Sequence, residues 1–283
     1  MTPDSSPQTG PEYSVRVTPE DLQTALARAL ATADAELVSP QADADVSVTP
    51  LHPELGDWST TLALRAAAEP EHRLALARHL CAQLRSLPAV SFAEVAGPGF
   101  VNIGLAPAAR AQVAFDIIAA GADDDASGSG AEPAAAASER PPHSGFAAID
   151  PDVVDDADVY RLQRGHAAAC RERRRAVRAE ITADGADAAR LDHPNEARLL
   201  NALAAVPSAR KRSHRLGDVE PLLRSLCETA EACEDWLSRC AVTPPIDVDI
   251  TALHASRLVL VHAAIIVLAA GLRQLGASAP ERI

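Results

Sequence analysis

The sequence predicts an α+β protein in which a small N-terminal α/β domain is joined by a disordered linker to a C-terminal all-α helix bundle. Apolar residues alternate with polar ones only in the first part of the chain, whereas apolar residues at helical spacing fill the last part. Between them lies a stretch of small and acidic residues. Aromatic residues make up only 3% of the chain against 47% hydrophobic content, which favours close-packed helices. We place the boundaries at residues 1–14 for a disordered N-terminus, 15–118 for the α/β domain, 119–154 for the linker and 155–283 for the bundle.

The N-terminal domain is predicted to begin with a helix and to end with two strands. Thr18 supplies a capping hydroxyl and Pro19 suits the first helical position, with two acids following at the positive helix end. Val46 and Val48 alternate with polar neighbours, which indicates a short strand. Two helices are predicted at about 59–68 and 71–87, and two strands flank the turn Gly97-Pro98-Gly99, one starting at Val90 and the other at Phe100.

The linker is predicted from its composition and the bundle from its periodicity. From about residue 119 to 158 the chain consists of Ala, Gly, Ser, Asp and Pro with almost no large apolar residue except Phe146. Such a segment cannot bury enough surface to offset the entropy lost on ordering. Beyond it we predict the four antiparallel helices of an α-bundle, at about 155–182, 193–206, 217–240 and 252–275.

The net charge of −13 is unevenly distributed along the chain. Residues 1–110 carry 7 basic and 13 acidic side chains, residues 111–158 carry 1 and 11, and residues 159–283 carry 18 and 15. An acidic protein repels nucleic acid, so this distribution matters more than its sum. The acidity therefore lies in the first and middle parts of the chain, whereas the C-terminal part is mildly basic.

Several classes of protein are disfavoured by motifs that the sequence does not contain. Its five cysteines include no C-x-x-C pair, so we expect free thiols in a reducing compartment and no metal site. No phosphate-binding loop and no Gly-x-Ser-x-Gly motif occurs, and we expect no cofactor. The first twenty residues lack a basic and apolar signal, and the longest apolar run, 258–272, is shorter than the roughly 20 residues that span a bilayer. We therefore predict a cytoplasmic protein with no membrane partner.

One candidate site is the glycine-rich turn before the last strand of the N-terminal domain. Its glycines allow a partner to approach the backbone closely, Phe100 can stack on a base, and the Asn102 amide can read base edges. The alternative is an ordinary β-hairpin in which Phe100 belongs to the core and Asn102 closes the turn. Residue types alone leave both interpretations open. In the loop upstream, Asp57 and Ser59 can act as helix caps.

A second candidate site is the first helix of the bundle, where seven arginines occur between residues 161 and 178. Their guanidinium groups can neutralise phosphates and release counterions, which is the main source of affinity for nucleic acid. The alternative is a solvated helix face that pairs with the acidic linker. A further basic cluster, at residues 210–215, is predicted to lie in a loop between helices, which is a setting that favours function.

The N-terminal segment contains a series of motifs: Gly56-Asp57, Leu62-Ala63-Leu64 and Gly97-Pro98-Gly99-Phe100-Val101-Asn102-Ile103. With these motifs it resembles the additional domain at the N-terminus of arginyl-tRNA synthetases. In that family this domain contacts the elbow and D-loop of tRNA. The resemblance therefore implies that Phe100 and Asn102 contact D-loop nucleotides.

The C-terminal segment contains a longer series of motifs: Leu162-Gln163-Arg164-Gly165-His166-Ala167, His193-Pro194-Asn195-Glu196, Cys240-x-Val242, Arg257-Leu258-Val259-Leu260, Gly271-Leu272 and Pro280-Glu281-Arg282. In this order they resemble the motifs of the DALR anticodon-binding bundle of the same enzymes. The resemblance implies that this bundle approaches the anticodon arm of tRNA. In that arrangement Trp236 stacks on a base and phosphates are held by Arg161, Arg164, Arg171 and Arg257.

The catalytic domain of the family is missing between these two ends. The synthetases place a nucleotide-binding domain of several hundred residues there, and here the interval is the low-complexity linker. No histidine begins a His-x-Gly-His signature, and Lys211 is the only lysine, whereas a second ATP-binding signature of the family uses two. We therefore predict a non-catalytic tRNA-binding protein with no DNA partner. An active arginine-tRNA ligase would need ATP and arginine sites that the sequence does not show.

The bundle departs from the family where unpaired anticodon bases would stack. Family members carry aromatic residues on the third helix, but the matching positions here are Ser225, Cys227 and Leu237, and the usual terminal Met is Ile283. We expect base-specific reading of an arginine anticodon to be lost. These losses and the acidic net charge favour a second hypothesis, a protein-interaction module that partners an aminoacyl-tRNA synthetase or another protein without binding RNA.

Overall fold

The computed structural model describes residues 17–39, 46–127, 154–245 and 247–283. The predicted disordered N-terminus, 1–14, lies outside these ranges. The helices are α1 (Pro19–Ala31), α2 (Leu62–Ala66), α3 (Pro70–Arg85), α4 (Pro107–Ser127), α5 (Asp156–Arg178), α6 (Pro194–Leu216), α7 (Glu220–Arg239) and α8 (Ala252–Gln274). The strands are β1 (Thr49–Pro50), β2 (Trp58–Thr60), β3 (Val90–Ala96) and β4 (Phe100–Leu105), and a short 3-10 helix spans Ala188–Arg190.

The N-terminal domain is a four-stranded antiparallel sheet in the order β1-β2-β4-β3, packed against α1, α2 and α3. The predicted cap of α1 is present, because the Thr18 hydroxyl accepts a 3.2 Å hydrogen bond from the backbone amide of Asp21. Leucines from α1 and α3 and the inner residues of β4 form one apolar core. With a helical C-terminal region, this arrangement confirms the predicted α+β class.

Two local predictions in this domain are wrong. Residues 59 and 60, predicted as the start of a helix, belong to β2, where Ser59 pairs with Asn102 and Thr60 with Val101. All three side chains of β2 are buried, so pairing with β4 and burial outweigh the local helical pattern. The strand predicted at residues 46–48 forms one step later, at Thr49–Pro50.

Helix α4 joins the sheet to the bundle and continues to Ser127, past the predicted start of the linker at 119. Ala111 and Ala114 are buried in the bundle core, and partly buried apolar side chains from Val113 to Ile118 pack against it. Burial of this face, worth about 0.8 kcal/mol per methylene, stabilises a helix that composition alone does not predict. Residues 128–153 of the predicted linker lie outside the described ranges.

The C-terminal domain contains the four predicted long helices, α5 to α8, but α6 is longer than predicted. It runs through Pro207 to Leu216 and ends at Gly217, whose φ of 64° is in the left-handed region that favours glycine. Proline removes one backbone donor, yet beyond it Ser213 is buried and its hydroxyl accepts a 2.9 Å hydrogen bond from the Leu222 amide of α7. The prediction of a loop at residues 210–215 is therefore wrong, and this basic cluster forms the last turns of a helix.

Helix α8 is the apolar centre of the bundle. Within the described part of the chain it is the one helix long and apolar enough to cross a membrane, with a mean hydropathy of 2.0 over its most apolar window. More than half of that window is buried in the protein, against α4 and α5 in particular. Gly271 permits close contact with α7, because a Cβ there would lie 2.5 Å from the Leu226 side chain. The composition and burial of α8 therefore fit the predicted buried core helix.

The two domains pack directly on each other at a buried carboxylate. Asp57, with 2% of its surface exposed, accepts hydrogen bonds from the Leu105 amide at 2.6 Å, from Arg110 at 2.7 Å and from the Asn201 side chain at 2.9 Å. Leu105 ends the sheet, Arg110 lies on α4 and Asn201 lies on α6. One side chain thus connects three elements, which is a different role from the predicted helix cap.

Candidate nucleic-acid interface

The arginine-rich helix of the bundle, α5, lies beside an acidic one. Helix α5 begins at Asp155, whose carboxylate caps the Ala157 amide, and carries seven arginines and three acids. Helix α7 carries five acids and two arginines and packs along α5. Opposite charges therefore face each other across the contact between the two helices.

Two of the predicted phosphate ligands are engaged at this contact. Arg164 donates two hydrogen bonds to the carboxylate of Glu234, at 2.7 and 2.5 Å, and these bonds and the charge of Glu234 raise the pKa of Arg164. Arg161 pairs with Asp158 at 2.7 Å and lies 3.6 Å from Glu231. The paired helix face considered as an alternative is present, but its acids come from α7 and from α5 itself.

The C-terminal tail, which follows α8, accepts hydrogen bonds from other arginines of α5. Arg173 donates to the Glu281 carboxylate at 2.9 Å, and Arg174 donates to the Glu281 backbone carbonyl at 3.1 Å. The His166 ring lies 2.9 Å from the Pro280 carbonyl oxygen. Several α5 side chains therefore hold the end of the chain as well as presenting positive charge.

A groove of about 630 Å³ lies between α5, α7 and this tail; we call it the α5 groove. It brings together two of the predicted arginines, Arg164 and Arg171, with Leu237 and Ile283, which stand where the family carries aromatic residues or the terminal Met. Arg171 is 60% exposed with its guanidinium 3.7 Å from Glu172. Arg282 also lines the groove and forms no ion pair with a residue that the structure describes. The α5 groove is thus lined by four arginines and two acids, with apolar side chains between them.

Two other predicted tRNA ligands lie away from this surface. Trp236 is 0% exposed, so its ring has no face available to a base, and the predicted stacking role is not compatible with this structure. Arg257 donates to the buried carboxylate of Glu196 at 2.7 Å and to the Ala241 carbonyl at 2.8 Å. Its guanidinium therefore holds α8 to the start of α6, which leaves little of it for a phosphate.

At the turn between β3 and β4, one of the two predicted RNA-contacting residues is exposed to solvent. Gly97 and Gly99 have φ values of 52° and 137°, which suit glycine, and Phe100 is 39% exposed. Phe100 therefore lies outside the core, contrary to the simple hairpin alternative. Asn102 is half-buried in β4, where its side-chain oxygen accepts a 3.2 Å hydrogen bond from the Ser59 hydroxyl.

The cysteines are buried, and the described residues offer no metal-binding cluster. All five cysteines are free and buried, and burial raises the pKa of Cys233 to about 12. The ranges that the structure covers contain no cluster of three or more His, Cys, Asp or Glu residues that could hold a metal ion.

Comparisons with known proteins assign both domains. The family model for the arginyl tRNA synthetase N terminal domain matches residues 20–105, and that for the DALR anticodon binding domain matches residues 162–283. The chain is a relative of arginyl-tRNA synthetases that lacks their catalytic domain. Only residues 106–161 separate the two matches, and α4 occupies much of that interval.

Similar proteins are arginine–tRNA ligases of bacteria. The chain is 34% identical over 148 residues to the arginine–tRNA ligase of Renibacterium salmoninarum, and this alignment covers 51% of the chain and 27% of the ligase. It is 33% identical over 130 residues to that of Clavibacter sepedonicus, covering 46% and 24%, and 35% identical over 144 residues to that of Micrococcus luteus, covering 48% and 26%. The matched region thus spans about a quarter of the length of these relatives.

Two arginines of the α5 groove are not among the residues predicted to bind tRNA. Arg174 and Arg282 line the α5 groove with Arg164 and Arg171. Arg174 is one of the seven arginines of α5. Arg282 follows it by about 110 residues in the sequence, and the C-terminal tail places it in the same groove. The motif Pro280-Glu281-Arg282 is the sequence feature that could have identified Arg282 as a site residue.

Proposed function

We propose that this protein binds tRNA and does not aminoacylate it. The observation that carries the proposal is the presence of an arginyl-tRNA synthetase N-terminal domain and a DALR anticodon-binding domain with only residues 106–161 between their matches. A separate nucleotide-binding domain of the synthetase kind does not fit in that interval. A role alongside translation in the cytoplasm follows from the proposal.

In the proposed complex, each domain contributes one contact surface. Phe100 stacks on a nucleotide of the tRNA elbow, since it is exposed at a glycine turn, and Asn102 is beside it on β4. The α5 groove receives the anticodon arm, with Arg171 and Arg282 on phosphates and Arg164 held ready by Glu234. Trp236 and Arg257 are left out because of their burial and their internal contacts.

Replacing Arg171 and Arg282 by alanine is expected to weaken tRNA binding about tenfold. Each exposed contact contributes on the order of 0.7 kcal/mol, and 1.4 kcal/mol is a factor of ten. Electrophoretic mobility shifts with a tRNA transcript at low and high salt give the affinities, which should fall steeply as salt rises. The matched control is Arg78→Ala with Arg85→Ala, two exposed arginines of α3. No shift with the unaltered protein at micromolar concentration in low salt would remove the proposal.

The absence of aminoacylation has its own test. We expect no ATP-pyrophosphate exchange with arginine and tRNA present, because neither domain supplies an ATP site of the synthetase kind. An arginine–tRNA ligase assayed in parallel serves as the positive control. Exchange above background would mean that the chain activates arginine and would contradict this part of the proposal.

A second candidate function is a protein-interaction module that partners a synthetase. It is favoured by the ion pairs that already engage Arg161, Arg164, Arg173 and Arg174 with acids of the same chain. Affinity capture of the full chain, with and without ribonuclease, separates the two candidates. Recovery of a synthetase without RNA supports the second, whereas RNA in the untreated sample supports the first.

A further inference from the structure

A second groove, of about 420 Å³, lies between the two domains; we call it the interdomain groove. One wall is the start of α1 with residues 46–50, and the other is the end of α6 with the start of α7. Neither domain forms this groove alone. It exists because Asp57 connects the sheet to α4 and α6 and because Lys211 of α6 reaches Glu20 of α1 at 3.0 Å.

Three of the four acids that line the interdomain groove accept hydrogen bonds. Glu20 accepts from Lys211 and from the Ser208 hydroxyl, each at 3.0 Å. Asp218 accepts from the Glu220 backbone amide at 2.9 Å. Glu220 accepts from Arg224 at 2.8 Å, and the charge of Glu228 adds to the effects that raise the pKa of Arg224. Lys211 and Arg224 are therefore each paired with an acid of the groove.

Two arginines in the same groove have no acidic partner among the described residues. Arg212 and Arg215 lie one turn apart on α6 and line the groove, and neither forms an ion pair with any residue in the described ranges. Residues three apart on a helix are neighbours on one face, about 5–6 Å between their Cβ atoms. Their guanidinium groups can therefore act together on adjacent anionic groups of one ligand.

A buried hydroxyl in the groove points to the same chemistry. Ser225 lines the groove from α7 and is 6% exposed, and its Oγ has no hydrogen-bond partner in the described structure. Such unsatisfied groups are uncommon in folded proteins, because burying a polar group without a hydrogen-bond partner is unfavourable. A ligand oxygen that accepts from Ser225 while its charge faces the arginines would satisfy all three side chains.

We propose that the interdomain groove binds a phosphodiester segment of RNA. Arg212 and Arg215 contact neighbouring phosphates, and Ser225 donates a hydrogen bond to a phosphate oxygen. This inference rests on the proposed function and adds to it a third contact, one that exists only where the two domains meet. Two arginines one turn apart suit the closely spaced phosphates of a phosphodiester chain, and the proposed tRNA binding supplies such a ligand.

The test compares salt dependence of tRNA binding among three variants. Replacing Arg212 and Arg215 together by alanine should raise Kd about tenfold at low salt and reduce the slope of log K against log salt by about 2, one for each lost phosphate contact. Ser225→Ala should raise Kd a few-fold at every salt concentration with an unchanged slope, because a hydroxyl releases no counterion. Arg78→Ala with Arg85→Ala is the matched control and should change neither quantity.

The outcomes separate this inference from the proposed function. An unchanged slope in the Arg212 and Arg215 variant, or an equal loss in the control, overturns the groove contact while tRNA binding by the α5 groove stands. Failure of the unaltered protein to bind tRNA overturns both. The altered arginines are exposed, and circular dichroism of each variant verifies that the fold is kept.

Discussion

Replacing Asp57 by alanine is expected to lower the free energy of unfolding by about 3–5 kcal/mol, the usual cost of breaking a buried ion pair. The Arg110 guanidinium would lose its carboxylate in a position where only 14% of its side chain is exposed. The Leu105 amide and the Asn201 side chain would lose an acceptor at the same time. Urea unfolding followed by circular dichroism measures the change.

Two further variants separate domain coupling from loss of the charge pair. Asn201→Ala removes only the contact across the domain boundary and should cost about 1 kcal/mol. Asp34→Ala, an exposed acid of the same domain, should leave stability unchanged. If Asp57→Ala cost less than 1 kcal/mol, or if Asp34→Ala cost as much, Asp57 would not be the residue that holds the domains together.

The bundle helices could be predicted closely because apolar spacing reports directly on burial. Helix α8 was expected at 252–275 and spans Ala252–Gln274, and α5 was expected at 155–182 and spans Asp156–Arg178. The end of α6 could not be predicted in this way, since proline normally marks a helix boundary. Its continuation past Pro207 depends on contacts with α7, which is a later part of the sequence.

For Trp236, the spacing of apolar residues and the family resemblance point to different roles. Ala232, Cys233, Trp236 and Cys240 are spaced so that they share one helix face, and all four are buried. Periodicity therefore indicated a core residue, whereas an aromatic ring at a family position indicated stacking. The physical pattern is the better guide here, because it describes this chain's own packing.

The fate of the α5 arginines depends on distant parts of the chain. Arg164 and its partner Glu234 are separated by 70 positions, and Arg174 and Glu281 by 107. Segment charges show where basic residues accumulate but not which acids the fold places beside them. For the same reason, composition could not single out Arg212 and Arg215 as cations without an acidic partner in the described structure.

Replacing Arg257 by methionine is expected to destabilise the protein by about 3–5 kcal/mol, because it leaves the Glu196 carboxylate buried without its cation. Glu196 is 0% exposed; one oxygen accepts from Arg257 and the other accepts from the His193 backbone amide at 3.0 Å. Chemical unfolding measures the loss. A small effect would mean that Arg257 is free enough to act on a ligand.

A compensating variant tests whether Arg257 also holds a phosphate, as the resemblance implies. Adding Glu196→Gln to Arg257→Met removes the unpaired charge and keeps an oxygen for the His193 amide, so we expect more than half of the lost stability to return. With the fold restored, tRNA affinity should equal that of the unaltered protein, because the Arg257 guanidinium is committed to Glu196 and the Ala241 carbonyl. A stable double variant that binds tRNA tenfold more weakly would instead place Arg257 among the phosphate ligands.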